Sequence, residues 1–397
     1  MRIGVVGLGK AFMLMLPTFL MDRRVQLVAA SDTDPLSLRQ FKADFPAAAV
    51  HGDIESLCKN PDVEVVYIGT PHQFHAVHAE IALNAGKHVL VEKPMAVTLE
   101  DCCRMNACAQ RAGKYLIVGH SHSFDHPISR AKELIDSGRY GRVRFIHSMN
   151  YTDFLYRPRR AEELNTDLGG GVVFNQASHQ LDVIRLLAQG RVVDVSSYLG
   201  RWDAARRTEG AYSALIKFDN GVAANVTYSG YAHYNSDEVM GWVNELGEKQ
   251  PERRLFPTRL RLDEVLNKGS EAAYKNEMSY GRGWSAHGLP KMARNHQHFG
   301  HLVISCEGAD IVPKAEKIEV FANGEYHCEN FSMPDFPRQE VMDELFDAIS
   351  GTRPPVHTGE WAMETLDLCI ALLEGGKPEL IGMRATAVAC AGRSSGR

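Results

Sequence analysis

Gly86-Lys87-His88-Val89-Leu90-Val91-Glu92-Lys93-Pro94 is the stretch from which the rest of the chain can be read. His88 to Val91 is a short apolar run, entered from a glycine turn and closed by a charged pair ahead of a proline. Such a run is expected as a buried strand of an α/β sheet. It then carries Glu92 and Lys93 at its carboxyl end, where open parallel sheets place their ligands. Pro94 keeps Lys93 extended and stops a helix from starting there. A lysine fixed at such a point can exchange a proton with a bound hydroxyl once burial lowers its pKa toward neutrality. The plain alternative is a surface Glu-Lys pair ending a strand, and the upstream residues decide against it.

Upstream, Arg2 to Val6 forms an apolar strand running into Gly7-Leu8-Gly9-Lys10-Ala11-Phe12, followed by a helical pattern through Met13, Leu14, Leu16 and Leu20. A glycine turn between strand and helix lets backbone N–H groups approach a pyrophosphate. Gly7, Gly9, Lys10, Ala11 and Phe12 are therefore candidate cofactor contacts. The third glycine of the dinucleotide fingerprint is replaced by Phe12, which must push the helix outward or point away. A second strand, Val25 to Ser31, ends at Asp32, near the offset where an acidic side chain meets the adenosine ribose. Asp32 would accept from the ribose hydroxyls and repel a 2′-phosphate, favouring NAD over NADP. Asp34 suits the cap of the following helix, which leaves Asp32 free for that role.

The alternation continues through helix 36–44, a short helix near 54–59, strand 63–69, helix 76–85, the Glu92-Lys93 strand, helix 99–112 and strand 115–118. At least five β–α steps argue for a doubly wound parallel sheet, an α/β fold. Thr70 and Pro71 end their strand beside the cofactor, and His72, His75 and Glu92 join them as candidate contacts. His72, His75 and His78 lie at helical spacing. Without carboxylate or cysteine partners they read as solvated or singly hydrogen-bonded side chains, and no metal is expected.

From Arg142 onward the period changes toward two, at Val143, Phe145 and His147 and again over 192–199, 211–218 and 222–229. Asp219-Asn220-Gly221 joins the last two as a hairpin. This pattern predicts an antiparallel or mixed sheet open on one face. Between these strands lies Gly169-Gly170-Gly171-Val172-Val173-Phe174-Asn175-Gln176-Ala177-Ser178-His179, continuing to Asp182. Asn175, His179 and Asp182 fall at i, i+4 and i+7, which predicts one shared helical face. The excursion 232–300 is rich in Arg, Gly, Tyr and His without apolar periodicity, and is read as a lid, an oligomer contact or a loose loop. His296, His298 and His301 are read as strand-edge histidines. Strands 301–306 and 317–321 and helices 339–349 and 359–373 close the chain. The division expected is 1–122 for the cofactor, 123–384 for a second domain that meets it, and a flexible tail over 385–397.

The 397 residues suffice for two domains with real cores. A net charge of −5 offers no electrostatic case for nucleic acid or an anionic membrane surface. The eight cysteines form no CxxC pair, the first residues run straight into a strand, and no apolar run approaches the roughly 20 residues of a membrane span. A cytoplasmic protein with reduced thiols is expected.

Taken together, Gly7-Leu8-Gly9, Thr70-Pro71, Ala85-Gly86-Lys87-His88-Val89, Glu92-Lys93-Pro94, Gly169-Gly170-Gly171 and His179-Gln180-Leu181-Asp182 resemble the Gfo/Idh/MocA oxidoreductases over nearly all of residues 1–380. The resemblance implies a Rossmann domain, a C-terminal α/β domain whose open sheet serves oligomerisation as a dimer or tetramer, and Lys93 and His179 flanking the substrate at the nicotinamide. It departs from the family at Asn175, where an aspartate is usual, and at His120-Ser121-His122-Ser123-Phe124, where an arginine is usual. Asparagine can orient a hydroxyl without taking its proton, which leaves acid–base work to Lys93, His179 or both. Within the family, Tyr151-Thr152-Asp153-Phe154-Leu155-Tyr156-Arg157-Pro158-Arg159-Arg160 and the long excursion are similar to the phthalate cis-dihydrodiol dehydrogenases of aromatic catabolism. That likeness implies NAD-dependent oxidation of an aromatic dihydrodiol dicarboxylate, with Tyr151, Arg157, Arg159 and Arg160 as further substrate contacts. Guanidinium suits carboxylate, and solvated loop arginines are the alternative. An inositol or sugar dehydrogenase and a non-catalytic NAD-binding sensor are the competing readings.

Overall fold

The structure, a computed structural model, describes residues 1–119, 121–253, 257–286 and 293–375. His120 and the tail 385–397, both singled out by sequence, lie outside the described residues.

The first unit is built on β1 (Arg2–Val6), β2 (Gln26–Ser31), β3 (Ala49–His51), β4 (Val65–Ile68), β5 (His88–Val91) and β6 (Leu116–Val118). All run parallel, in the order β3-β2-β1-β4-β5-β6. Helices α1 (Lys10–Met21), α2 (Pro35–Asp44), α3 (Ile54–Cys58), α4 (His75–Asn84) and α5 (Leu99–Ala112) cover both faces. Burial on both sides is why β1, β4 and β5 read as continuous apolar runs. The order reverses between β1 and β4, which opens a crevice over their carboxyl ends and brings Gly7, Gly69 and Glu92 to one rim. β3 escaped the sequence reading because three residues with an exposed Val50 carry no period.

The second unit contains α6 (His126–Asp136), β7 (Val143–Tyr151), α7 (Ser178–Ala188), β8 (Val192–Gly200), β9 (Ala211–Phe218), β10 (Ala223–Ser229), α8 (Thr258–Lys268) and α9 (Glu271–Glu277). It continues with β11 (His301–Cys306), β12 (Ala309–Pro313), β13 (Lys317–Ala322), β14 (Glu325–Asn330), α10 (Gln339–Ser350) and α11 (Gly359–Leu373). Its sheet runs β14-β13-β12-β11-β7-β10-β9-β8, antiparallel between neighbours except for β7 and β10. α6, α7 and α11 bury one face. The other leaves Phe145, Leu215 and Phe321 exposed, as the alternating pattern required.

Two segments cross back to the first unit. Val341, Met342 and Leu345 of α10 pack with Phe12, Met15 and Leu16 of α1, and Tyr280 of the excursion joins the same cluster. The excursion is thus no loose loop. Ion pairs hold α9: Glu271 with Arg206, and Lys275 with Glu163. Leu260 and Leu266 stay exposed, so no apolar stripe announced α8 in the sequence. Phe12 is fully buried, edge-on to Tyr280 at 5.2 Å. Phe12→Ala should cost about 3–5 kcal/mol, read as a lowered urea midpoint.

Candidate active site

The turn after β1 has the shape a phosphate needs. Gly7 sits at φ +90°, and a Cβ there would lie 2.9 Å from Thr70 Cγ2, so only glycine lets the β1 and β4 loops approach. At Gly9 a Cβ would meet nothing nearer than Gly69 O at 3.9 Å, which leaves open space in front of the helix start. Gly9 caps α1, and the first intrahelical bond runs from Met13 N to its carbonyl. The N–H groups of Lys10, Ala11 and Phe12 therefore precede any helical acceptor and can serve an anion. Phe12 contributes through its backbone alone, since its ring points into the core. Lys10 lies at the mouth of the crevice, where burial, then Arg338 and Arg157, lower its pKa.

Asp34 caps α2 as expected, accepting from Leu36 N and Ser37 N. Asp32 is not free, however. One of its oxygens accepts from Leu8 N at 2.6 Å and the other from Asp34 N at 2.8 Å. It braces the glycine turn, and its remaining lone pairs are what a ribose could use.

Lys93 stands at the end of β5 on a cis Lys93–Pro94 peptide. Its Nζ donates to Asn175 O, in the second unit, at 2.7 Å. Burial, reinforced by Arg338 and opposed by Glu92 and Glu245, brings its pKa down to about 8. Glu92 accepts from the buried Tyr67 hydroxyl at 2.8 Å. Of the histidines read as solvated or singly hydrogen-bonded, His75 departs from that reading: it is fully buried, its two ring nitrogens 2.8 Å from Thr70 O and 2.9 Å from Pro94 O. Burial lowers its pKa to about 4 against the pull of those carbonyls. His75 thus ties the β4 and β5 loops together and has no face left for a cofactor. His72 turns to the second unit, donating from Nδ1 to Gly169 O at 3.3 Å, and burial lowers its pKa to about 3. Thr70 pairs through Oγ1 with His78 at 3.0 Å.

The predicted face of Asn175, His179 and Asp182 forms only in part: His179 and Asp182 are three residues apart on α7, and Asn175 lies in the turn before it. Val173–Ala177 is a π turn that runs into α7, and the extra residue per turn rotates Asn175 out of register. The Asn175 amide donates to Gly169 O and Gly171 O at 3.2 and 2.8 Å. His179 packs edge-on to His122 at 4.7 Å and against Phe299 at 5.2 Å. Asp182, three residues on along α7, accepts from Ser123 Oγ, Trp361 Nε1 and Thr365 Oγ1.

Of the three arginines, Arg157 faces the crevice. Its Nε donates to Asp153 at 2.9 Å, and Glu245 helps to uphold its charge against burial. Arg159 stacks 3.6 Å from the Phe154 ring centroid and donates to Phe154 O, with burial lowering its pKa to about 10. Arg160 reaches Asn276 of α9 at 3.0 Å. Arg160, with the Arg159 main-chain N–H on Glu271, seats the 157–163 loop against α9, a packing that no sequence pattern indicated, while Arg159 Nε is buried without a hydrogen-bond partner. Tyr151, half-buried at the end of β7, pairs with Tyr234 at 6.3 Å.

Residues 1–120 match the oxidoreductase family with an NAD-binding Rossmann fold, GFO/IDH/MocA, and residues 128–244 match its C-terminal domain. A protein of solved structure from Bordetella bronchiseptica RB50 is 35% identical, with a TM-score of 0.86 over 94% of this chain and 97% of that one. The chain belongs to the GFO/IDH/MocA oxidoreductase family. Inositol 2-dehydrogenase 2 of Saccharopolyspora erythraea is 28% identical over 62% of this chain and 72% of its own. The dTDP-3,4-didehydro-2,6-dideoxy-alpha-D-glucose 3-reductase of Saccharopolyspora spinosa is 30% identical over 59% and 70%.

The cofactor of this GFO/IDH/MocA oxidoreductase is NAD, and the cradle at Gly7 and Gly9 fits it. Among the described residues no three His, Cys, Asp or Glu side chains gather as metal ligands, and no helix is long and apolar enough to cross a membrane. Sequence reasoning missed Glu245, which accepts from Asn150 Nδ2 at 2.9 Å and acts electrostatically on both Lys93 and Arg157. It missed Arg338 as well, held at φ +57° with Nε buried and without a hydrogen-bond partner. Neither residue belongs to a motif; both arrive through tertiary packing.

Asn175→Asp would set carboxylate oxygens against two carbonyl oxygens, and should destabilise the fold by about 1–3 kcal/mol in urea titrations. Lys93→Met should stabilise it by about 1–2 kcal/mol near pH 7, because the wild type buries a cation there. The folded pKa of Lys93 lies near 8, below its ordinary 10.5. The folded state then binds fewer protons than the unfolded chain between those values. Wild-type stability rises through that window, so the advantage of Lys93→Met should shrink as pH goes from 8 to 10.5, read by urea titration at each pH.

Proposed function

We propose that this enzyme oxidises one carbinol of a vicinal diol, with Lys93 taking the hydroxyl proton and His179 assisting. The observation that carries the reading is the Lys93 amine, brought near pKa 8 and lodged on Asn175 O, four residues before His179 on the same helical segment. An amine in that state is neutral in useful proportion at mildly alkaline pH. NAD supplies the hydride acceptor when bound. Gly7, Gly9 and the N–H groups of Lys10, Ala11 and Phe12 hold its phosphates, Asp32, Thr70, Pro71 and Glu92 flank it, and His72 and His75 shape the loops around it. In this reading residues 1–122 serve the cofactor and 123–384 the substrate.

The substrate proposed is a cis-dihydrodiol of an aromatic dicarboxylate, oxidised to a hydroxy-ketone that tautomerises to a catechol. Two features support it: the aromatic group of His122, Phe299 and Tyr228 beside His179, and Arg157 in the crevice. A planar ring suits such a wall better than a puckered polyol does. Asn175 contributes its carbonyl to Lys93, and Tyr151 lies at the outer edge, while Arg159 and Arg160 support Arg157 indirectly. The relatives' names favour a second reading, an inositol or sugar as substrate. A homo-oligomer through the open sheet face and a cytoplasmic location complete the proposal.

Lys93→Ala should lower kcat by roughly 100-fold or more while NADH still binds, and wild-type kcat/KM should climb with pH and level off above about 8. A flat profile would remove Lys93 as the base. A panel of dihydrodiols with and without ring carboxylates, set against inositols and aldoses, decides the substrate by NADH formation. Turnover confined to polyols would sink the dihydrodiol.

A further inference from the structure

The excursion brings a second wall to the nucleotide crevice. Tyr280, fully buried, donates its hydroxyl to Asp44 Oδ2 at 2.5 Å and accepts at its carbonyl from Ser37 Oγ at 2.8 Å. Gly281 has φ +80°, and a Cβ there would lie 2.8 Å from Ser37 Cα, so the turn is pressed flat against the start of α2. Gly281 N closes the turn on Trp284 O at 2.7 Å, and Ala286 N anchors its far side on Asp44 at 2.8 Å. Two side chains leave this anchored turn toward the crevice. Trp284 lies against the Lys10 ammonium, 5.5 Å from its ring centroid, and the Arg282 guanidinium stands 3.6 Å from the Asp34 carboxylate.

Lys10 follows Gly9 of the phosphate turn, and Asp34 lies two residues beyond Asp32 at the end of β2. The turn therefore spans the ground between the pyrophosphate position and the ribose position, which in a dinucleotide site is where the adenosine lies. We propose that Tyr280–Trp284 forms the outer wall of the adenosine pocket, with Trp284 as a stacking surface for the purine and Arg282 beside the ribose. A half-buried indole fixed on a rigid turn is suited to this, because a base stacks on an aromatic face whatever its sequence context. The assignment gives the excursion a role in cofactor recognition, and it stands apart from the identity of the substrate.

The test uses the full-length protein and two probes: NADH, and reduced nicotinamide mononucleotide, which lacks the adenosine. Trp284→Ala should weaken NADH binding about 10-fold or more, read by nicotinamide fluorescence, and leave the mononucleotide's affinity unchanged. Because Trp284 also touches the α1 cluster, hydrogen exchange on the wild type provides a second measurement free of folding effects. NADH should protect the amides of 280–286, and the mononucleotide should not. Equal loss of both ligands in the variant, unchanged NADH affinity, or no selective protection would overturn the assignment.

Discussion

The 2.7 Å contact from Lys93 Nζ to Asn175 O is the constraint on which the site depends. It joins the end of a strand in one unit to a main-chain carbonyl in the other, so it exists only when the two units are docked. An ammonium taken out of water loses several kcal/mol of hydration, and one neutral acceptor does not replace it. The protein leaves that deficit in place, and the amine responds by giving up its proton more readily. Arg338 and Glu245 tune the outcome from opposite sides, the first lowering the pKa and the second raising it. Glu92 opposes the shift while remaining fixed by Tyr67.

The same contact explains the π turn. An uninterrupted α-helix through 173–182 would put Asn175 on the face that His179 and Asp182 share. With a widened turn, the Asn175 amide reaches back to the glycine carbonyls and its own carbonyl meets Lys93. Asp182, one turn beyond His179 on regular α7, is satisfied at the interface by Ser123, Trp361 and Thr365. An aspartate at position 175 could not make the two amide bonds. The residue that departs from the family pattern is therefore the one this local geometry requires.

Most of the sheet architecture was legible, because a strand buried on both faces is a run of apolar residues and a strand buried on one face alternates. What was not legible is whatever a neighbour in space decides. Phe12 sits at a glycine position because Tyr280, 268 residues later in the chain, gives its ring a place in the core. His75 occupies a helical polar position yet spans two loops, and Asp32, expected to be free at the end of β2, has both oxygens bracing the turn. The excursion lacked apolar periodicity since charge pairs and one aromatic plug dock it, and such partners are invisible to a periodicity argument. Three neighbouring arginines looked alike in sequence. Only their partners separate Arg157, paired with Asp153, from Arg159, on the Phe154 ring, and Arg160, on the excursion.

The cations of the crevice reveal how the two halves divide the work. Lys10 and Lys93 come from the first unit, Arg157 and Arg338 from the second, and each lowers the pKa of a lysine across the gap. Glu92, Glu245 and Asp153 offset part of this repulsion, and the apolar packing of α10 on α1 with the seated turn at Tyr280 holds the two units together. Arg338 carries the cost most plainly, since a left-handed backbone at a non-glycine residue is disfavoured by about 1 kcal/mol and its Nε is left unpaired. An anionic dinucleotide relieves that repulsion. Binding and docking of the two units are then linked by the same charges: a protein that buries cations opposite one another is stabilised most by the ligand that neutralises them.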